Sequence, residues 1–340
     1  MLFVARGLLA LGTLLTPYDA FAADVALFDA QDAPPSLLSH CWSAGALAGT
    51  ERERRSTANR SRVNLDALRA VARPNRIAVP KALRGSIRSV TIPNDEKLIA
   101  LTFDLCESSG RQSGYDGEVI DYLRAENVRA TLFVSGKWFE SHPERSAQLI
   151  ADEALEIGGH GFYHRDFSRV SQAMLHDEIH LTEAAFLRAR GRLLRKSCAW
   201  NRPEILSVQE DLKLMRFPFG WCNTASLSAV AEAGQLAVQW NIVTGDPDPR
   251  LSAKRIAKTI VDQAHPGAIV IGHANGKGRN TTEALKIAVP ELKDQGYRFV
   301  TVSELLAAGD PVIVQSCYTE RPGDRRYHAK VKKRRRAQKK

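Results

Sequence analysis

The chain has 340 residues, 44% hydrophobic and 25% charged, with a formal net charge of +10. That length buries a sizeable core and suits one large domain with extensions, or two small ones, and the composition is that of an ordinary globular protein rather than a disordered one. The charge is unevenly placed: residues 51–90 and the tail KVKKRRRAQKK at 330–340 each carry +8, so the rest sums to about −6 and the excess sits on two flanking segments.

Residues 1–22 read as a secretory signal peptide. Arg6 lies in a short basic region, Gly7–Leu15 is apolar, and Ala20-Phe21-Ala22 is a small-x-small cleavage site. The segment is short for a membrane span, an uncleaved anchor being the rival, and nothing else approaches roughly 18 continuous apolar residues. An exported product, periplasmic or extracellular, permits disulfides. Five cysteines, Cys41, Cys106, Cys198, Cys222 and Cys317, leave at least one unpaired within a monomer. The basic tail then suits an anionic envelope polymer or membrane surface, or is a solvated tail, and no nucleic acid is expected.

Residues 23–94 show little periodicity and read as an N-terminal extension. From about residue 95 short apolar or β-branched runs alternate with helical stretches, the sign of βα units around a parallel sheet. The expected strands are Leu98–Asp104, Val128–Ser135, Leu155–Gly159, Leu236–Val243, Ala268–His273 and Tyr297–Val302. The expected helices are Tyr115–Glu126, Pro143–Glu153, Met174–Lys196, Ser226–Ala233, Ser252–Ala264 and Thr281–Asp294, with Gly234, Gly267 and Gly296 at C-cap positions. The repeat predicts an α/β fold, a barrel or barrel-like sheet over 95–308, with a C-terminal extension at 309–340 and chemistry at the C-terminal ends of strands.

Those ends carry titratable groups. The first strand ends in Asp104, the third in GGHGFYH with His160 and His164, and the fifth in IGHANG with His273. The fourth leads to Asp246, and RFPFGWCN before it supplies Arg216 and Phe219. A His-x-x-x-His spacing places both rings on one face of a helical turn, where they can share a metal, although such a pair is commonly incidental. Asp104 alone could be catalytic, hold a metal or cap a turn. His273 alone reads as a buried, hydrogen-bonded histidine; beside a metal it becomes a general acid.

The series TFD, HGFYH, RFPFG, a late Asp and IGH, in that order, resembles the five motifs of the polysaccharide deacetylases, carbohydrate esterase family four, of which the chain looks like a divergent member. The resemblance implies a deformed seven- or eight-stranded (β/α) barrel and one divalent metal, zinc first, with cobalt or nickel possible. It implies hydrolysis of N-acetyl groups on an N-acetylglucosamine-containing glycan. It assigns Asp104 as general base and His160 and His164 as metal ligands. Arg216 would orient the base, and the Phe219 N–H would face the oxyanion. Asp246 would tune the acid His273, and Ile271 would line the acetyl pocket.

The chain departs from the pattern at three places. Leu105 stands at the family's second, metal-binding Asp. Asp104 is then expected to contact the metal itself or through its water, with Glu107 reaching in as a second option and a weakened site as a third. Val243 replaces an acid of the fourth motif. Pro247 replaces an aromatic sugar platform, for which Trp221 or Trp240 could substitute. The family fold further implies a Cys106–Cys222 disulfide over the pocket. Cys41 and Cys317 would then tie the two extensions together, with Cys198 left over. A non-catalytic glycan-binding scaffold on a degenerate domain remains the rival reading, favoured by Leu105.

Overall fold

The computed structural model describes residues 36–59, 62–94 and 96–317; the expected signal sequence and basic tail lie outside them. The sheet is built from β1 Ser86–Thr91, β2 Leu98–Leu105, β3 Ala130–Val134, β4 Leu155–Gly159, β5 Leu214–Met215, β6 Leu236–Val238, β7 Ile242–Val243, β8 Ala268–His273, β9 Arg298–Phe299 and β10 Asp310–Val314. Their order is β10-β1-β6-β5-β4-β3-β2-β8-β7, with β9 also paired to β2. Every pairing in it is parallel except β10 with β1.

All eight residues of β2 are buried, as expected for a parallel strand covered on both faces. The two faces follow the strand period of two. Leu98 and Ala100 join an inner cluster with Phe133, Trp240, Ile269 and Ile271. Ile99, Leu101, Phe103 and Leu105 face the helix-side core. Asp104 therefore falls on the inner face and Leu105 on the outer one.

From residue 96 on, the α-helices are α1 Gly117–Ala125, α2 Gly136–Ser141, α3 Pro143–Ile150, α4 Gln172–Leu194, α5 Thr224–Glu232, α6 Ala253–Gln263, α7 Thr281–Asp294 and α8 Val302–Ala307, the last packing Val302, Leu305 and Leu306 into the inner cluster. The six expected helices recur within a few residues at each end, and the short α2 and α8 add to them. The larger differences lie among the strands. The run expected as one strand, Leu236–Val243, is two. After Val238 the chain changes neighbours: the Gln239 N–H donates to Ile87 O at 2.8 Å and the Asn241 N–H to Ile269 O at 3.0 Å. Residues 236–243 thus bridge β1, near one end of the strand order, and β8, near the other, and curl the sheet into the deformed barrel.

Gly267 is a closing contact rather than a helix cap. It has φ +78°, its carbonyl accepts from Val90 N–H at 2.9 Å, and a Cβ there would meet Val90 O. The strand expected at Tyr297–Val302 shortens to Arg298–Phe299, because Thr301 caps α8 in a capping box with Glu304. Two strands come from outside 95–308: β1 from the Arg- and Ser-rich segment, and β10 from the C-terminal one.

The N-terminal segment reaches the same end of the sheet as the strand termini. Arg145 of α3 donates to the carbonyls of Ala46, Leu47 and Ala48 and to Glu53. The Tyr115 N–H then donates to Glu53 O at 2.8 Å, and Asp116 N–H to Ala274 O at 2.9 Å. Arg54 completes the brace with an ion pair to Asp116 at 3.3 Å.

The expected disulfides are corrected. Cys41 bonds Cys198, and Cys222 bonds Cys317, while Cys106 is a buried free thiol. Cys106 turns into the barrel mouth, whereas Cys222 packs in a separate cluster with Cys317, Phe217 and Leu227. Peptide mapping under non-reducing conditions should return these two pairs and one unmodified Cys106. Removing either pair by double Cys→Ser substitution should lower stability by about 2–4 kcal/mol in a denaturant titration.

Candidate active site

Strand register brings the expected residues together. His273 is the Cα partner of Asp104, and Ile271 that of Thr102. On the other side Leu105 pairs with Val134, Val134 with Gly159, and Gly159 with Met215. His160 follows Gly159 and Arg216 follows Met215, so Asp104, His160, Arg216 and His273 share one level at the strand ends.

Arg216 is fully buried and holds Asp104 from below. Its Nη1 donates to Asp104 Oδ1 at 3.0 Å and to Thr102 Oγ1 at 2.8 Å, and its other nitrogens reach the carbonyls of Val238 and Gln239. The guanidinium lies over the rings of Phe133 at 3.9 Å and Trp240 at 5.3 Å. Trp240 is therefore a floor beneath Arg216, 8% exposed, and not a sugar platform. Burial pushes the Asp104 carboxyl up, but His160, Arg216 and His273 together hold it below the usual value.

His160 is 1% exposed, and its Nε2 stands 3.4 Å from Asp104 Oδ2. Its Nδ1 is 2.9 Å from Arg216 O, which can only accept, so this bond fixes the tautomer and leaves the Nε2 lone pair free. His164 reaches His160 by a different route from the helical turn that the spacing suggests. Residues 160–164 form a loop in which Gly161 and His164 have φ of +71° and +54°. The two rings lie 4.8 Å apart, edge to face. Burial first, then His160, holds His164 well below its usual value, so it is a neutral donor.

His273 is paired with Asp246. The ring Nδ1 and the Asp246 Oδ1 are 2.9 Å apart, and Asp246 also accepts from the His273 N–H, Thr244 Oγ1 and Thr281 Oγ1 at 2.8–3.0 Å. Burial lowers the His273 pKa, yet the Asp246 charge and hydrogen bond, with Asp104 behind them, raise it overall. Ile271 lies two residues earlier on the same face, 6% exposed.

Across the mouth, Phe219 sits at φ +61°, a left-handed value rare for a bulky side chain. The residue is 51% exposed, and its ring packs on His164 at 4.4 Å and lies 5.2 Å from Trp221. Phe219 is thus a surface aromatic besides its expected part as a backbone donor, and Trp221 keeps its place as a candidate platform.

Glu107 does not reach the site. It is fully buried, pairs with Lys137, and accepts from Ser113 N–H at 2.9 Å and Ser141 Oγ at 2.8 Å. Cys106 does reach it. Its Sγ and the ring nitrogens of His160 and His164 lie within 4.8 Å of one another, as do donor atoms of Asp104, Cys106 and His273. The expected pairing of Cys106 with Cys222 conceals this thiol; its position one residue past the missing acid is the available signal. Imidazole and sulfur donors fit a zinc-type ion.

A family model described as polysaccharide deacetylase matches residues 91–203, which include Asp104, His160 and His164. A peptidoglycan-N-acetylglucosamine deacetylase of Bacillus cereus is 36% identical over 220 residues, covering 63% of this chain and 91% of that protein. The chain belongs to the polysaccharide deacetylase family. Among solved structures, a peptidoglycan N-acetylglucosamine deacetylase is 25% identical with a TM-score of 0.53, covering 65% of this chain and 92% of that one. A mutant of a family-four pseudoenzyme with restored enzymatic activity has a TM-score of 0.53 at 22% identity, covering 66% and 71%, which speaks to the fold alone. Arg216, Asp246 and His273 lie beyond the stretch matched by the family model and stand at the same strand ends.

Proposed function

We propose that this chain is a metal-dependent N-deacetylase acting on an N-acetylglucosamine-containing glycan. One observation carries the reading. Asp104 and His273 are register partners at the mouth of the barrel, and their surroundings push the carboxyl down and the imidazole up. Titratable groups driven apart in this way are assigned as base and acid.

A divalent ion held by the site's histidines would polarise the acetyl carbonyl and make water a better nucleophile. Asp104, ionised and aimed by Arg216, takes the proton from the attacking water. The Phe219 N–H donates to the developing oxyanion, a type of contact whose removal costs about 3 kcal/mol. His273, protonated on Nε2 and held through Nδ1 by Asp246, gives its proton to the departing amine. Ile271 supplies an apolar wall for the acetyl methyl, and Trp221 with the exposed Phe219 ring offers a face for a sugar. The products are acetate and a glucosamine-type amine.

The rival scaffold reading rests on Leu105. That residue lies on the helix side of β2, while Asp104 and His273 are register partners and His160 stands 3.4 Å from Asp104. Two disulfides fit the oxidising compartment that export would provide. No described helix is long and apolar enough to cross a membrane.

Acetate release from N-acetylglucosamine oligomers tests the reading. It should stop on chelation, return with zinc or cobalt, and be nearly absent in His164→Ala. Glycan binding without any acetate release by metal-loaded protein would favour the scaffold instead.

Asp246→Asn should act through His273. Removing the charge takes away the main cause that raises the imidazole, so His273 loses its proton at lower pH. The alkaline limb of the kcat profile should move to lower pH while the acid limb, set by Asp104, stays. An unmoved alkaline limb would take Asp246 out of this role.

A further inference from the structure

The position that ligates metal through a carboxylate in the family is filled here by Leu105, which is fully buried in the helix-side core. No side-chain rotation brings that residue to the inner face. Glu107, the other nearby acid, is committed to Lys137, Ser113 and Ser141. Asp104 has one oxygen on Arg216 and the other 3.4 Å from His160 Nε2.

Cys106 is the other donor at the mouth besides Asp104. It follows the last residue of β2, where the chain leaves the sheet and turns over the barrel mouth. That turn is fixed from both sides. Ser135 N–H donates to Leu105 O at 3.2 Å, and Asn275 Nδ2 donates to Cys106 O at 2.9 Å. Cys106 is 4% exposed, and the other four cysteines are bonded to one another. Its sulfur lies within 4.8 Å of donor nitrogens on His160 and His164. Zinc bonds of about 2.0–2.3 Å set ligand atoms roughly 3.3–3.8 Å apart in a tetrahedron, a distance small side-chain rotations reach.

The geometry points to Cys106, as its thiolate, as the third protein ligand of the metal site, with His160 and His164, leaving Asp104 outside the coordination sphere as the base. The inference deepens the deacetylase reading and rests on it for the presence of the metal. A thiolate brings the single negative charge that the missing carboxylate would have brought. Three protein ligands also leave an open position, as catalytic zinc sites do. Binding replaces the S–H bond by a metal–sulfur bond and releases one proton to solvent, with no change of oxidation state. The softer sulfur selects zinc or cobalt over magnesium, calcium or manganese.

The test uses the full chain after signal removal, loaded with zinc or cobalt. X-ray absorption at the zinc edge should show one sulfur at about 2.3 Å beside nitrogen or oxygen at about 2.0–2.1 Å. The cobalt form should show a strong near-ultraviolet thiolate-to-cobalt charge-transfer band. Cys106→Ser should lose that band and bind zinc at least about 100-fold more weakly, beyond the 10–100-fold that outer-shell partners typically contribute. Cys106→Asp should regain affinity without the band. The wild-type spectra decide the matter even where a variant folds poorly. Stoichiometric metal with only nitrogen and oxygen neighbours overturns the inference and leaves the deacetylase reading standing. A wild-type chain that takes up no stoichiometric metal overturns both.

Discussion

Asp104→Asn should reduce acetate release by about 10²–10⁴-fold, the range a positioned general base contributes. The substitution keeps size and shape. The amide oxygen can still accept from Arg216 Nη1, which now spans 3.0 Å to Oδ1, so the loop and the strand end should hold their positions. What disappears is the basic oxygen facing His160. Metal content separates the two jobs expected of this residue. With Cys106 as the third ligand, Asp104→Asn should retain stoichiometric zinc while losing turnover. Activity within about tenfold of wild type, well short of that range, would remove Asp104 from the base position.

Arg216→Met should unfold more readily by about 3–5 kcal/mol, the effect of removing one partner of a buried ion pair. Asp104, 4% exposed, would lose its guanidinium, and the carbonyls of Val238 and Gln239 would lose donors in the middle of the barrel. The sign with pH follows from the direction of the Asp104 shift. A carboxyl held low in the folded state contributes stability above its unfolded pKa, and that contribution fades as pH falls through the folded pKa. The gap between wild type and Arg216→Met should therefore be largest near neutrality and narrow on acidification. The acid limb of any residual activity should move to higher pH. A variant as stable as wild type in denaturant titrations at neutral pH would contradict this account.

Much of the site is legible along the chain because strand ends repeat a simple arrangement. Asp104, His160 and His273 each close a recognisable apolar run, and a parallel sheet gathers such ends at one edge. Trp240 shows the limit of that reasoning. Offered in place of the aromatic missing at Pro247, it looks like a sugar platform until the curl of the sheet puts it under Arg216. The break in Leu236–Val243 is hidden for the same reason, since a largely apolar run carrying Gln239 and Asn241 does not reveal that the chain changes neighbours halfway. Strand β1 is concealed because Arg88 sits within it, buried and bonded to Ser86 and Ser316, in a segment whose composition reads as extension.

The sequence by itself determined the order of the chemical groups and the alternation that puts Asp104 and Leu105 on opposite faces, because strand periodicity is a local property. Only the tertiary structure decided the fate of the neighbours of Asp104. Leu105 goes to the helix-side core, Glu107 to Lys137, and Cys106 to the two histidines rather than to Cys222. Those outcomes depend on which loops meet at the barrel mouth. Contacts between residues far apart in the chain set that meeting, and no local pattern encodes it.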